Sequence, residues 1–276
     1  MLLLSYASIA NPFDSDHQIR FFCFQVLEDC LKYRYQALSG SEKLEIKTCI
    51  WSWIKENVSG VGGNPFYMRN KLYLLLVLLF KNEYPSSWQS FFDDFFNLVN
   101  GFNGNQFAIE TFLLTFVILD DEVIGHYIQK TPQQQELNNL IKDAMRASVV
   151  PRLISTWHSI FITYYKSNKE LALLCLKLFG LYVSWVDIFL IIKPNFLNAL
   201  YESLSNISMG SDAADCLGFI ISKGMRPADK LALIQNLNII SILASLQVGP
   251  NQEYFEESIA KLVNTIGVEL VLCMND

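Results

Sequence analysis

Apolar positions recur at the i, i+3, i+4, i+7 spacing of helices from about residue 16 onward, and no segment alternates with period two between turn dipeptides. Ile19, Phe22, Cys23, Val26, Leu27, Cys30 and Leu31 predict a helix over 16–38, with Asp16 as N-cap. Phe21 and Phe24 give it a second apolar face, and Gly40 stops it. Ser41 is placed to cap a helix over 41–58, striped by Ile46, Ile50, Trp53, Ile54 and Val58 and broken by GVGGNP at 60–65. Further helices are expected over 66–83, from Pro85 through Leu98, and over 106–119, the last two separated by Gly101 and Gly104. The polar stretch DDEVIGHYIQKTP at 120–132 reads as a long loop or a short extra helix. From Gln134, one side carries Leu137, Leu140, Ile141, Ala144, Met145 and Ser148, until Pro151 bends or restarts the helix on its way to Tyr165. The remaining pattern predicts helices over 169–192, 194–205, 211–223, one after Pro227, and 252–273.

Pairing neighbouring helices gives units whose first members begin near residues 16, 66, 106, 169, 211 and 251, close to the irregular period of about 40–47 residues of HEAT-type repeats. A two-helix unit cannot bury both its faces alone, so it stacks on the next. The fold class predicted is all-α, an α-solenoid of HEAT-type helical hairpins. Residues 1–276 form a single solenoid in this reading, and 1–15 fall outside the pattern and are expected to be poorly ordered. The first helix is apolar with nothing upstream to cover it, and the last, VNTIGVELVLCMND, is apolar with nothing after it, so the chain is expected to be a fragment or truncated product of a longer protein.

A content of 51% hydrophobic against 17% charged residues supports a large core and excludes intrinsic disorder. Acidic residues outnumber basic ones 27 to 21, a net charge of −6. That excludes a generally basic nucleic-acid-coating protein while leaving room for a local basic patch. Six cysteines without a CxxC pair, most of them on apolar helical patterns, predict free buried thiols. The apolar stretch 171–192 is cut by Lys177 and Asp187, so no membrane span is expected. MLLLSYASIA lacks the basic residue that opens a secretion signal.

No catalytic motif is present, and His17, His126 and His158 have no metal-ligand spacing, so no metal site is expected. The adjacent pairs Asp93-Asp94 and Asp120-Asp121 point apart on a helix and read as solvated caps or faces rather than an acid–base pair. A binding surface is the remaining class. Its candidates are basic: Arg69 and Lys71 in the first turn of a helix, the electrostatically poorer end for a cation, then Lys142 and Arg146 four apart and off the apolar stripe, and Arg152 after the Pro151 bend. Asp143 could pair with Arg146 and make that row an ordinary solvated face. In CLKYRYQAL, Lys32 and Arg34 interleave with Tyr33 and Tyr35, an arrangement that can stack bases but also complements a helix C-terminus. Trp157 and Trp185 read as core anchors, and Asp187 as a buried carboxylate held by an inter-repeat hydrogen bond.

Five words in order, DHQIRFFCFQVLEDCLKYRY (16–35), MRNKLYLLLVLLFKNEYPSSW (68–88), LIKDAMRASVVPRLISTWHSI (140–160), YVSWVDIFLI (182–191) and ADCLGFIISKGMRPADKLALI (214–234), resemble the N-terminal part of exportin-T, the tRNA exportin family of the importin-β superfamily. MLLLSYASIANPF stands in place of the family's opening helix pair and does not match it. The resemblance implies a nuclear export receptor that binds mature tRNA together with GTP-bound Ran, contacts nuclear pore proteins, shuttles between nucleus and cytoplasm and releases its cargo there. It implies no enzyme activity and no cofactor, the GTP being held by Ran. Arg69 and Lys71 in MRNK, and Lys142 and Arg146 in IKDAMR, match the family's pattern and become candidates for tRNA or Ran contact. A transport receptor for protein cargo, or a helical scaffold, remains the alternative reading.

Overall fold

The structure, a computed structural model, describes residues 17–60, 63–101, 105–125, 129–206, 208–246 and 253–275. It divides into two compact units, Met1–Ala147 and Ser148–Asp276. Among the described residues every regular element is helical, and the helices pack as HEAT-type hairpins within each unit. Asp16, Gly104, His126 and the segment 1–15 lie outside the described residues.

The first unit holds α1 (His17–Tyr33), α2 (Gly40–Ser59), α3 (Phe66–Glu83), α4 (Phe91–Asn100), α5 (Gln106–Leu119) and α6 (Pro132–Ser148). The organising helix is α3. Met68, Leu72, Tyr73, the run Leu75 to Leu79, and Phe80 are buried, so it is apolar around nearly its whole circumference. A helix of that kind must be covered on several sides. Its neighbours α1 and α5 flank it in one layer, while α2 lies across α3 and α5, and α4 packs on α5. Asn57 of α2 sits at their junction and donates to the hydroxyls of Tyr73 and Thr111, each at 3.0 Å. That buried polar group is thereby satisfied and fixes the register of three helices. Aromatic rings fill the far end, with Phe80 against Phe91 at 4.5 Å and Phe112 against Phe116 at 4.9 Å.

The second unit holds α7 (Val150–Tyr164), α8 (Lys169–Tyr182), α9 (Ile188–Ile191), α10 (Pro194–Leu204), α11 (Gly210–Ile221), α12 (Pro227–Leu237), α13 (Ile239–Ser245) and α14 (Glu253–Asn275). Here α11 is central, packed on α8, α10 and α14. The approach is close at Gly210, where an added Cβ would lie 2.8 Å from the Leu204 carbonyl oxygen and 2.8 Å from the Phe255 ring. Buried Lys230 donates to the last carbonyl of α11 and pairs with Glu269 of α14 at 2.7 Å, joining three helices. His158 on α7, also buried, stacks on Phe179 at 5.0 Å, lies tilted against Phe196 at 4.9 Å and donates from Nε2 to the Ile191 carbonyl at 2.9 Å.

Several sequence expectations are corrected. Hairpins form between α2 and α3, α4 and α5, α7 and α8, and α10 and α11, one helix out of step with the pairing read from spacing. The cap of α2 is Ser39, which forms a reciprocal capping box with Glu42, leaving Ser41 inside the helix. Pro85 lies in a turn, and α4 starts only at Phe91, with the Trp88 indole donating to Asp94 at 2.8 Å. The helix expected over 169–192 ends at Tyr182. Asp187 is exposed rather than buried and caps α9 by accepting from the Phe189 amide at 2.9 Å. Asp120 is buried in a π-helical turn, Asp120–Ile124, rather than solvated. Pro151 restarts the helix as α7, and Trp157 is in the core while Trp185 is half-buried. All six cysteines are free, four of them buried. Among the described residues no helix is long and apolar enough to cross a membrane.

Burial pushes the His158 imidazole down from 6.5 to about 4, and the Ile191 carbonyl opposes this only partly. The unfolded chain therefore takes up this proton first as the pH falls. The stability contributed by neutral His158 is complete above about pH 6.5 and is lost as the pH drops toward 4, with a ceiling on the order of 3 kcal/mol. Urea denaturation of the wild type and of His158→Phe should show a stability gap that narrows between pH 7 and pH 4.5. A gap independent of pH would contradict this assignment.

Candidate nucleic-acid interface

In the first unit the C-terminal ends of α1 and α3, the π-helical turn and the start of α6 enclose a groove of about 330 Å³. Lys32 and Tyr33 come from the last turn of α1, and Lys81 and Asn82 from the last turn of α3. Cations at these positions complement the partial negative charge of a helix C-terminus. The groove continues through Gln129 and Lys130, which it shares with a second hollow of about 320 Å³ reaching Asn138 and Lys142 on α6.

Local hydrogen bonds hold the walls. Asn82 donates to the Leu31 and Leu78 carbonyls, both at 2.9 Å, closing the end of α1 onto α3. Lys81 donates to the Glu122 carbonyl and carboxylate at 3.2 Å each. The Asn138 amide donates to that same carbonyl at 3.2 Å, so α3 and α6 share one anchor in the π-helical turn. Thr131 and Gln134 cap α6 reciprocally, which sets Lys130 just ahead of the helix, donating to the Gly125 carbonyl at 2.8 Å.

The charge state of the groove follows from its burial. Burial, then the neighbouring Lys81 and Lys142, push the Lys130 ammonium below its ordinary value. Burial, then Arg146, do the same for Lys142. At the other end burial raises the Glu28 carboxyl, but hydrogen bonds from Lys32 and Lys71 outweigh it and hold the group ionised. Tyr33 projects into solvent, 79% exposed, whereas Tyr35 is buried with its hydroxyl on Glu83 at 2.8 Å. The base-stacking role open to both tyrosines therefore falls to Tyr33.

The five basic residues singled out in the sequence do not form one row. Arg69 pairs with Glu110 of α5 at 2.5 Å, and Lys71 pairs with Glu28 of α1. Both bridge α3 to a flanking helix, which explains cations at a helix N-terminus without invoking a ligand. Neither lines the groove or the hollow. Lys142 is 9% exposed, so the expected exposed row is corrected to one largely covered lysine and one open arginine. That arginine, Arg146, is paired with Asp143 at 2.9 Å, as their spacing predicts. Arg152 is exposed on α7, in the second unit. Lys81, Lys130 and Asn138 escaped the sequence reading. Lys81 stands at the end of a long apolar run, Lys130 in a polar loop, and only the fold brings them together.

Arg69 and Glu110 are both partly buried, so their pairing should carry measurable coupling. A double-mutant cycle of Arg69→Met and Glu110→Gln is expected to give about 1 kcal/mol, with RNA affinity unchanged in Arg69→Met. Loss of RNA affinity without coupling would transfer Arg69 to the binding surface.

Comparison with known proteins places this geometry in a family. The family model described as "Exportin 1-like protein" matches residues 65–217. Exportin-T of Danio rerio is 34% identical over 267 residues, covering 96% of this chain and 28% of the relative. Exportin-T of Homo sapiens is 32% identical over 267 residues, covering 96% of this chain and 27% of its own length. Exportin-T of Dictyostelium discoideum is 30% identical over 253 residues, covering 92% and 22%. The chain thus spans roughly a quarter of the length of these relatives, and matches them in the region that carries α3, α5 and the groove. On this similarity the chain belongs to the exportin-T family.

Proposed function

We propose that this chain is the N-terminal part of a tRNA nuclear export receptor, which binds mature tRNA cooperatively with GTP-bound Ran and releases both in the cytoplasm. Membership of the exportin-T family supports the transport role. The observation that carries the RNA reading is the groove itself, with Tyr33 exposed beside Lys32, Lys81 and Lys130. An aromatic platform beside ammonium groups suits stacked bases and a phosphate backbone. Recognition here works by shape and charge, not by a reactive group, and the GTP belongs to the partner. The protein moves between nucleus and cytoplasm in this reading. Contact with nuclear pore proteins draws support from a hollow of about 520 Å³ in the second unit, lined in part by Trp185, Ile188, Phe189, Met225 and Leu233, which offers space for an apolar side chain.

With a net charge of −6 the chain as a whole repels RNA, so affinity must come from the local cationic groove and from the partner. Gel-shift titration of tRNA against this chain, with and without GTP-loaded Ran, tests the proposal. The expected result is binding that weakens steeply with salt and tightens about fivefold or more when Ran-GTP is present. Binding indifferent to Ran-GTP rejects the coupled mechanism, and no binding under either condition rejects the RNA reading.

A further inference from the structure

Several buried or partly buried cations of this protein come with counter-charges. Lys71 has Glu28, Arg69 has Glu110, Lys81 has Glu122 and Lys230 has Glu269. Lys142 departs from the pattern. It is 9% exposed, yet no carboxylate lies within ion-pair distance of it among the described residues. Lys130, across the same hollow, donates to a backbone carbonyl and to no acid among the described residues. Two ammonium groups thus face one cavity of about 320 Å³; the acids nearest them, Glu122 and Asp120 for Lys130 and Asp143 for Lys142, form no ion pair with either. Burial disfavours the charge on both, with Lys81 and Lys142 adding to the cost at Lys130 and Arg146 at Lys142. The rest of the lining suits a hydrogen-bonded anion: the side-chain amides of Gln129 and Asn139 bring two N–H donors each, and Gln135, whose Nε2 already donates to the Lys130 carbonyl at 3.1 Å, brings one more. Asn138, 2% exposed, is oriented by the Glu122 carbonyl: that oxygen can only accept, so the Asn138 NH₂ must face it.

We infer that this hollow is a phosphate site, occupied by one phosphodiester of an RNA strand that runs along the adjoining groove and stacks a base on Tyr33. The inference rests on the RNA-binding reading above and assigns a residue-level subsite to it. A phosphodiester fits better than a carboxylate on two counts. Its several acceptor oxygens match the two lysines and three amides together. The hollow also opens into the groove through Gln129 and Lys130, so a chain with a charge on every unit can continue past the Lys130–Lys81 pair toward the exposed ring.

The test uses the whole chain and a labelled, unstructured 12-nucleotide RNA. Lys142→Met and Lys130→Met are each expected to lower the slope of log affinity against log salt by about 0.7, and the double variant by about twice that. Lys166→Met, which removes an exposed lysine paired with Glu202 in the second unit, serves as the control and leaves the slope unchanged. Lys142→Gln, of similar length and polar, should match Lys142→Met, and circular dichroism verifies the helical fold of each variant. As a second readout, the NMR signal of the Lys142 side chain should shift on adding the RNA, and inorganic phosphate should move it in the same direction at higher concentration. An unchanged salt slope in a folded Lys142→Met variant overturns the inference, as does RNA binding that leaves the Lys142 signal still. A Lys142 signal that responds to poly-glutamate but not to RNA also overturns it, in favour of an acidic protein segment. In these three cases RNA binding can persist and the broader reading stands. Failure of the wild type to bind RNA at all removes both.

Discussion

The first unit depends on the burial of α3. A helix apolar on nearly every side has no face to give to water, so α1 and α5 must flank it and α2 must lie across it. Each buried apolar side chain in such a helix stabilises by about 1.5–3 kcal/mol, far more than a partly exposed ion pair. The pairs Arg69–Glu110 and Lys71–Glu28 are consequences of this packing, formed where the flanking helices come to rest. They contribute registry more than energy. In the second unit α11 has the same role. Gly210 there allows an approach that a side chain would prevent, and Lys230 closes the contact with α14.

The groove follows from the same arrangement. Because α1 and α3 lie side by side, their C-terminal ends converge, and each carries a lysine in its last turn. The π-helical turn after α5 folds back against α3 through Lys81 and presents the Glu122 carbonyl to α6. The lysines of this recess on an acidic chain are therefore brought together by topology from separate segments, beside Asp121 and Glu122, of which Glu122 is paired with Lys81. Lys130 and Lys142 have no such partners among the described residues, which leaves the recess with positive charge for a ligand to neutralise.

Fold class was legible in the sequence because helical periodicity is local and strong, and most helices stand within a few residues of where the spacing puts them. What was not legible depends on non-local packing. The choice between hairpin partners rests on which faces are buried, and the sequence between helices does not encode it. Asp187 looked buried because its neighbours in sequence are apolar, but a helix break at Tyr182 turns it outward as a cap. Lys142 looked exposed because it stands just off the apolar stripe of α6, yet the fold leaves it 9% exposed at the edge of the hollow. Of the basic words, MRNK proved to be bridging residues, while IKDAMR contributed one lysine to the hollow. Tyr33 was visible as an interleaved aromatic, and only the fold separated it from Tyr35.

The central claim is that the groove of the first unit, and not the bridging arginine and lysine at the start of α3, receives the RNA. Ultraviolet crosslinking of tRNA to this chain, read by mass spectrometry of the attached peptides, tests it most directly. The account predicts attachment at Tyr33 and along the start of α6. Crosslinks confined to the Arg69–Lys71 segment or to the second unit, with Tyr33 unmodified, would contradict it.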